Sequence, residues 1–387
     1  MIAQDGWDLR KLLMELRQHP QSGTLSLSLL PYLSFYVVES SDWLRRAGAV
    51  QTSRFSAEQD GRIRSVRARL KLFDTDRGGL DGMTRAFSEI EAHAVKWFNY
   101  AHTGLLRRLQ LWLQTDLGLS FCGPALIGTS HVGLINTGLD PASFDPSQGD
   151  VFAQLGERML KFSKEIGAYV GALTEALSPI RPLREVRTID PMSDLKFTAE
   201  DYKASTAYGS LREKWGLQGT TYVPAVTWMI SQVNFVHLLL PRLLHSDADM
   251  LFRARFLTVY HSLSGLRKLS ALLRHRPHAA LVRVVNNLLA MPAARAIRRQ
   301  EKLRDAAAHY DVNHARAIPL PASTMRALVP ALSRRSLEEV ESLLSDCLAQ
   351  MSTSFVELVS SRSLGASFIN RHDYSRKPRR ASRLDDV

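Results

Sequence analysis

The segment Phe252-Arg253-Ala254-Arg255-Phe256-Leu257-Thr258-Val259-Tyr260-His261-Ser262-Leu263-Ser264-Gly265-Leu266-Arg267-Lys268-Leu269-Ser270-Ala271-Leu272-Leu273 places Phe256, Val259, Tyr260, Leu263, Leu266, Leu269 and Leu273 on steps of three and four. That is the 3.6-residue period of an amphipathic helix. The flanking sequence reads the same way. Val223 to Leu244 is apolar and interrupted only by single polar residues, and Ala293 to His309 is basic and Ala-rich. After a loop marked by Pro319 and Pro321, Ser336-Leu337-Glu338-Glu339 is a capping-box pattern, Ser followed three residues later by Glu. It opens a helix through Val359 with Val340, Leu344, Leu348, Met351 and Phe355 on its apolar side. Residues 223–362 therefore read as a helical bundle.

Helical periodicity also dominates earlier in the chain. Leu9, Leu12, Leu13 and Leu16 mark a short helix that His19-Pro20 ends. Phe87, Ile90, Ala94, Trp97, Ala101, Leu105, Leu109 and Trp112 step along a long one, with an aromatic stripe that reads as core. Residues 1–117 are thus an N-terminal helical region. From 118 to 150, Gly and Pro recur among Ser, Thr and Asn, which is turn chemistry and predicts a loop or linker. These glycines lack the strand-before, helix-after context of a phosphate loop. Periodicity returns at Val151 to Leu177 and fails again toward Tyr222, so 151–222 reads as a helix plus an irregular connection. Residues 363–387 are polar and basic, and a disordered tail is expected there. No strand run or internal repeat stands out, and the expected fold class is all-α.

The formal charge of +12 is concentrated in two places. From Arg242 to Asp305, thirteen Lys and Arg face only Asp247, Asp249, Glu301 and Asp305. From Arg371 onward, six basic residues face Asp373, Asp385 and Asp386. The rest of the chain is neutral. Such a stretch favours a polyanionic partner, because phosphate contacts release counterions; a set of solvated helix faces is the plain alternative. Cys122 and Cys347 lie in apolar surroundings without metal-ligand spacing, which points to a reducing compartment and away from disulfide or zinc frameworks. The N-terminus lacks a basic-then-apolar leader, and the apolar run Leu25 to Val38 contains Pro31 and falls short of the roughly 20 residues that span a bilayer. A cytoplasmic protein without a membrane partner is expected.

Chemistry concentrates in Arg304-Asp305-Ala306-Ala307-Ala308-His309, continued by Tyr310-Asp311. It joins a permanent cation, a small acid and a titratable imidazole. Spacing alone decides nothing, since chance supplies about one Arg-to-His pair at this separation in such a composition. Context says more. On a helix, Asp305 shares a face with His309 and is expected to orient its imidazole, while Arg304 is long enough to bend toward the same groove. Ala306, Ala307 and Ala308 would leave room for a substrate or a second backbone. A similar pair, Arg255 and His261, lies among core residues with no acid beside it and is set aside. His93 and His102 have no third ligand nearby and read as structural. No metal or cofactor is expected.

Arg304-Asp305-x-x-x-His309, just before a loop and a last helix, resembles the signature of HEPN domains: Arg, four to six residues, then His, with a polar residue directly after the Arg. The resemblance covers roughly Pro224 to Ser361 and does not extend to the first 220 residues. It implies a metal-independent endoribonuclease, commonly dimeric through the HEPN-like domain, with two motif copies facing one another. Such domains are frequent in toxin–antitoxin and antiviral defence systems, so an antitoxin or regulatory partner is a further expectation.

The residues suit that chemistry. RNA carries its own nucleophile, the 2′-hydroxyl, so the protein need only move protons and stabilise the phosphorane. Histidine does the first and arginine the second. Arg304, Asp305 and His309 are the expected catalytic set. Arg298, Arg299, Lys302 and Tyr310 are the expected RNA contacts, Tyr310 by stacking on a base or positioning a phosphate. Two alternatives stay open: a non-catalytic helical scaffold that binds RNA or protein through the same basic surface, and an immunity partner.

Overall fold

The computed structural model describes residues 2–16, 19, 22–46, 57–68, 79–99, 115–137, 141–144, 151–177, 194–218, 221–310, 324–360, 364 and 370–373. Its bulk is α-helical, as the periodicity predicts. In the N-terminal region α1 (Ile2–Leu16), α2 (Ser22–Arg46), α3 (Ala57–Ala68) and α4 (Gly79–Asn99) follow one another. Leu9, Leu12 and Leu16 are buried along α1, and the middle of α2 is buried on all sides. Pro31 sits inside α2, where its ring removes the amide that would bond the carbonyl of Leu27. Asn136 supplies the missing donor, its Nδ2 lying 3.0 Å from that carbonyl. The expected continuation of the fourth helix to Trp112, with His102, lies outside the described residues.

The expected linker at 118–150 is corrected by the structure. It contains β1 (Leu117–Cys122), β2 (Ala125–Thr129) and α5 (Ser130–Thr137). A two-residue turn joins the strands, with Gly123 at φ +57°, a conformation that favours glycine. After α6 (Val151–Leu177), the stretch expected to be irregular holds β3 (Phe197–Tyr202) and α7 (Ala204–Trp215). The tail expected to be disordered contributes β4 (Asn370–Asp373). The four strands form one antiparallel sheet in the order β2-β1-β3-β4, with Phe121 opposite Thr198 and Ala199 opposite His372. These strands are four to six residues long. Only three inward residues, Leu117, Leu119 and Phe121, alternate in β1, and β2 is buried on both faces, so neither shows a long alternating pattern.

The C-terminal bundle comprises α8 (Val223–Leu243), α9 (Asp249–Leu272), α10 (Ala280–Ala290), α11 (Pro292–Arg298), α12 (Glu301–Ala308), α13 (Met325–Ser333) and α14 (Leu337–Leu358). By length and hydropathy α8 is able to cross a bilayer, yet 89% of its apolar window is buried inside the protein. It is the central core helix, with Asn234 Nδ2 bonded to Leu126 O of β2 at 2.9 Å. The capping box of α14 forms in both directions: Glu339 N donates to Ser336 Oγ at 3.1 Å, and Ser336 N donates to Glu339 Oε2 at 2.8 Å. The buried residues form one hydrophobic core from Ile2 to Leu364. The N-terminal helices and the C-terminal bundle share it, and Tyr32 of α2 meets Thr258 of α9 at 2.8 Å.

Candidate functional site

Helix α12 ends where its carbonyls are taken by arginines. Arg253 Nη1 donates to Ala306 O at 3.1 Å and to Ala307 O at 2.8 Å, and Arg67 Nη2 donates to Ala308 O at 3.2 Å. Two cations at the negative end of the helix satisfy the open carbonyls and the dipole together. His309 then leaves the helix in an extended conformation, φ −140° and ψ 148°.

That ending overturns one expectation. Asp305 does not lie beneath His309, because the helical register stops one residue too soon. Asp305 instead forms an ion pair with its neighbour Arg304, Oδ1 lying 2.9 Å from Nε without the alignment of a hydrogen bond. The carboxylate facing His309 comes from α2: the Nδ1–H donates to Glu39 Oε2 at 2.9 Å. Glu39 is buried, and Arg67 Nη2 holds its other oxygen. The imidazole itself is 46% exposed. A buried, charge-balanced carboxylate thus fixes one ring nitrogen of a histidine whose other side is open to approach.

Arg304 is partly exposed, with its guanidinium 5.5 Å from the centre of the Tyr260 ring. The structure gives Arg304 and His309 separate partners, Asp305 and Tyr260 for one and Glu39 for the other. Arg299 and Lys302 are exposed and Arg298 is partly so, as phosphate contacts would require.

Two further expectations fail for one reason, burial within the chain's own core. Tyr310 is buried and cannot stack on a base; its hydroxyl donates to Asp5 Oδ2 at 2.5 Å and its ring lies 4.6 Å under the Arg253 guanidinium. Ala306, Ala307 and Ala308 are likewise buried, so they pack against Arg253 and its neighbours and do not offer a face to a second backbone. Arg255 and His261 suit their dismissal: His261 is buried, and Arg255 Nη2 donates to Ser345 Oγ at 2.9 Å.

Beneath the site lies a polar cluster within the apolar core. Arg253 is 1% exposed, with its Nε 3.8 Å from Asp5 Oδ2. Burial pushes the Asp5 carboxyl up to about 7, against the pull of Arg253 and the hydrogen bond from Tyr310. Burial, reinforced by Asp5, raises the Tyr310 phenol well above its ordinary value and keeps it a donor. Among the described residues, Asp5 Oδ1 is buried without a hydrogen-bond partner.

Glu39, Arg67, Arg253 and Asp5 escaped the sequence reading. A signal existed for three of them. Asp5 lies four residues before Leu9 on the apolar stripe of α1, Arg253 three before Phe256 on that of α9, and Glu39 directly after the apolar run of α2. A charge on an apolar stripe is rarely buried without a partner. Among the described residues, no group of three His, Cys, Asp or Glu side chains converges as metal ligands. Cys122 and Cys347 are free and buried, and burial pushes their thiols up to about 11 and about 12.

Comparison with protein-family models, with curated proteins and with solved structures finds no match for this chain.

Proposed function

We propose that the chain is a HEPN-like endoribonuclease that cleaves RNA without a metal, with His309 moving protons and Glu39 positioning it. The observation that carries this reading is the 2.9 Å contact between His309 Nδ1 and the buried Glu39 carboxylate, on an imidazole that remains about half exposed. With Nδ1–H held by Glu39, the Nε2 lone pair can take the proton of a 2′-hydroxyl. The 2′-oxygen then bonds to phosphorus, the P–O5′ bond breaks, and the leaving 5′-oxygen takes up a proton. The products are a 2′,3′-cyclic phosphate and a 5′-hydroxyl. Arg304 supplies charge for the phosphorane, and Arg298, Arg299 and Lys302 contact neighbouring phosphates. In a homodimer a second copy would bring a second imidazole to act as the acid. That contact would use the exposed edge of Arg304, Asp305 and His309, since the alanines are buried. A toxin or antiviral effector role, with a regulatory partner, fits such an activity.

The measurement is cleavage of labelled RNA by wild type and His309→Ala, with and without EDTA and with product ends identified. Chelation should change nothing, and the substitution should abolish cleavage. Activity that survives in His309→Ala, or that requires a divalent metal, overturns the reading.

A second reading, a non-catalytic RNA-binding helical scaffold, is favoured by the engagement of Arg304 with Asp305 and Tyr260. On that reading His309 serves only to tie the end of α12 to α2. RNA binding with no cleavage in the wild type would select it.

A further inference from the structure

We propose that the exposed faces of α9 and α10, with Arg295 of α11, form an RNA docking belt that engages phosphates farther from the cleaved bond than those contacted by Arg298, Arg299 and Lys302. This rests on the RNA reading above and adds that the substrate is a long RNA.

Between Met250 and Gln300 the chain has no Asp or Glu, while ten Lys and Arg fall there. Arg253 is consumed by the core and Arg255 is half-buried against Ser345. Arg267, Arg274, Arg283, Arg295 and Arg299 are exposed. None of these five has an acidic partner among the described residues. Elsewhere the surface behaves otherwise: Arg64 pairs with Asp42 and Asp60, Arg242 with Asp194, and Arg326 with Glu341. An ordinary solvated helix face intersperses both signs, as those pairs do. This one does not.

The cations also fall together. Ser270 Oγ donates to Asn286 Oδ1 at 2.8 Å, which sets the outer faces of α9 and α10 side by side. Arg267 lies one turn before Ser270, Arg274 follows it at the helix end, and Arg283 lies one turn before Asn286. After Met291 the chain bends by 72° into α11, which carries Arg295 and leads to Arg299. The next helix, α12, carries Lys302 and ends at His309. The basic surface therefore runs from the far end of α9 toward the candidate site. Uncompensated cations in two clusters along such a path match a polymer with charge at regular intervals, an RNA backbone, because each neutralised phosphate releases counterions.

The test is the binding of a long 2′-O-methyl RNA hairpin, which cannot be cleaved, and of a trinucleotide, to the full chain over a range of salt. The triple variant Arg267→Gln/Arg274→Gln/Arg283→Gln should bind the hairpin at least about tenfold more weakly and lower the slope of log K against log salt by about 2–3, roughly 0.9 per lost phosphate contact. Trinucleotide binding should be unchanged. If the triple variant fails to fold, the three single variants should each lower the slope by about one. An unchanged slope, an equal loss for the trinucleotide, or binding to phosphatidylserine vesicles with none to the hairpin overturns the proposal. Belt-dependent hairpin binding in a protein that cleaves no RNA supports the belt and removes the cleavage reading. Cleavage with an unaltered salt slope in the triple variant removes the belt and leaves cleavage standing.

Discussion

His309 and Glu39 are 270 residues apart in sequence, and their side chains meet at 2.9 Å between Nδ1 and Oε2. The pairing joins the end of α12 to the buried middle of α2. It makes the N-terminal helices part of whatever His309 does.

If Glu39 positions the imidazole, Glu39→Gln should lower kcat for RNA cleavage by about 10²-fold or more while leaving KM nearly unchanged. Glu39→Asp should recover part of the loss. A purely structural tie would lower the melting temperature of both variants without separating kcat from KM.

Arg253→Met should destabilise the protein by about 3–5 kcal/mol, measured by urea unfolding. Removing the guanidinium strands the buried Asp5 carboxyl and frees the carbonyls of Ala306 and Ala307. Combining it with Asp5→Asn should cost less than the sum of the two, because the pair is then removed together.

Asp5 predicts a pH dependence of stability. Its folded value lies near 7, above its ordinary 3.8, so the folded state holds the proton more tightly than the unfolded chain. The contribution is complete below about pH 3.8 and is lost as pH rises through about 7. Thermal melts should therefore show this contribution falling between about pH 3.8 and 7, and Asp5→Asn should flatten the curve. An identical slope in wild type and variant would rule this out.

Tyr310→Phe separates packing from recognition. Losing the hydroxyl removes a donor from the buried Asp5 Oδ2 and should cost about 1–3 kcal/mol. RNA affinity should not change, because the ring is enclosed. A weaker Kd at unchanged stability would show that the tyrosine reaches RNA after all.

Ser336→Ala removes the side-chain cap of α14 and should cost about 1 kcal/mol in unfolding experiments, with no effect on RNA binding.

What could be read without coordinates was local. The stripe of Phe256 to Leu273, the Ser336–Glu339 cap and the heptad-like spacing of Leu9 to Leu16 each depend on residues within a few turns of one another, so the periodicity carries them. The same local reading pointed to His309, Arg299 and Lys302, whose side chains are exposed. It failed where partners are distant. The strands β1 and β3 are short, and they are held by a register that joins Phe121 to Thr198. Their hydrogen bonds are not encoded in neighbouring residues. A helix that continued past Ala308 would set Asp305 beneath His309. Arg253 and Arg67, drawn from α9 and α3, cap it one residue earlier and turn His309 toward Glu39. The sequence alone determined that most of the chain is helical and where the charge lies. Only the tertiary structure decided which carboxylate faces which base, because a buried charge selects its partner by proximity in the folded core.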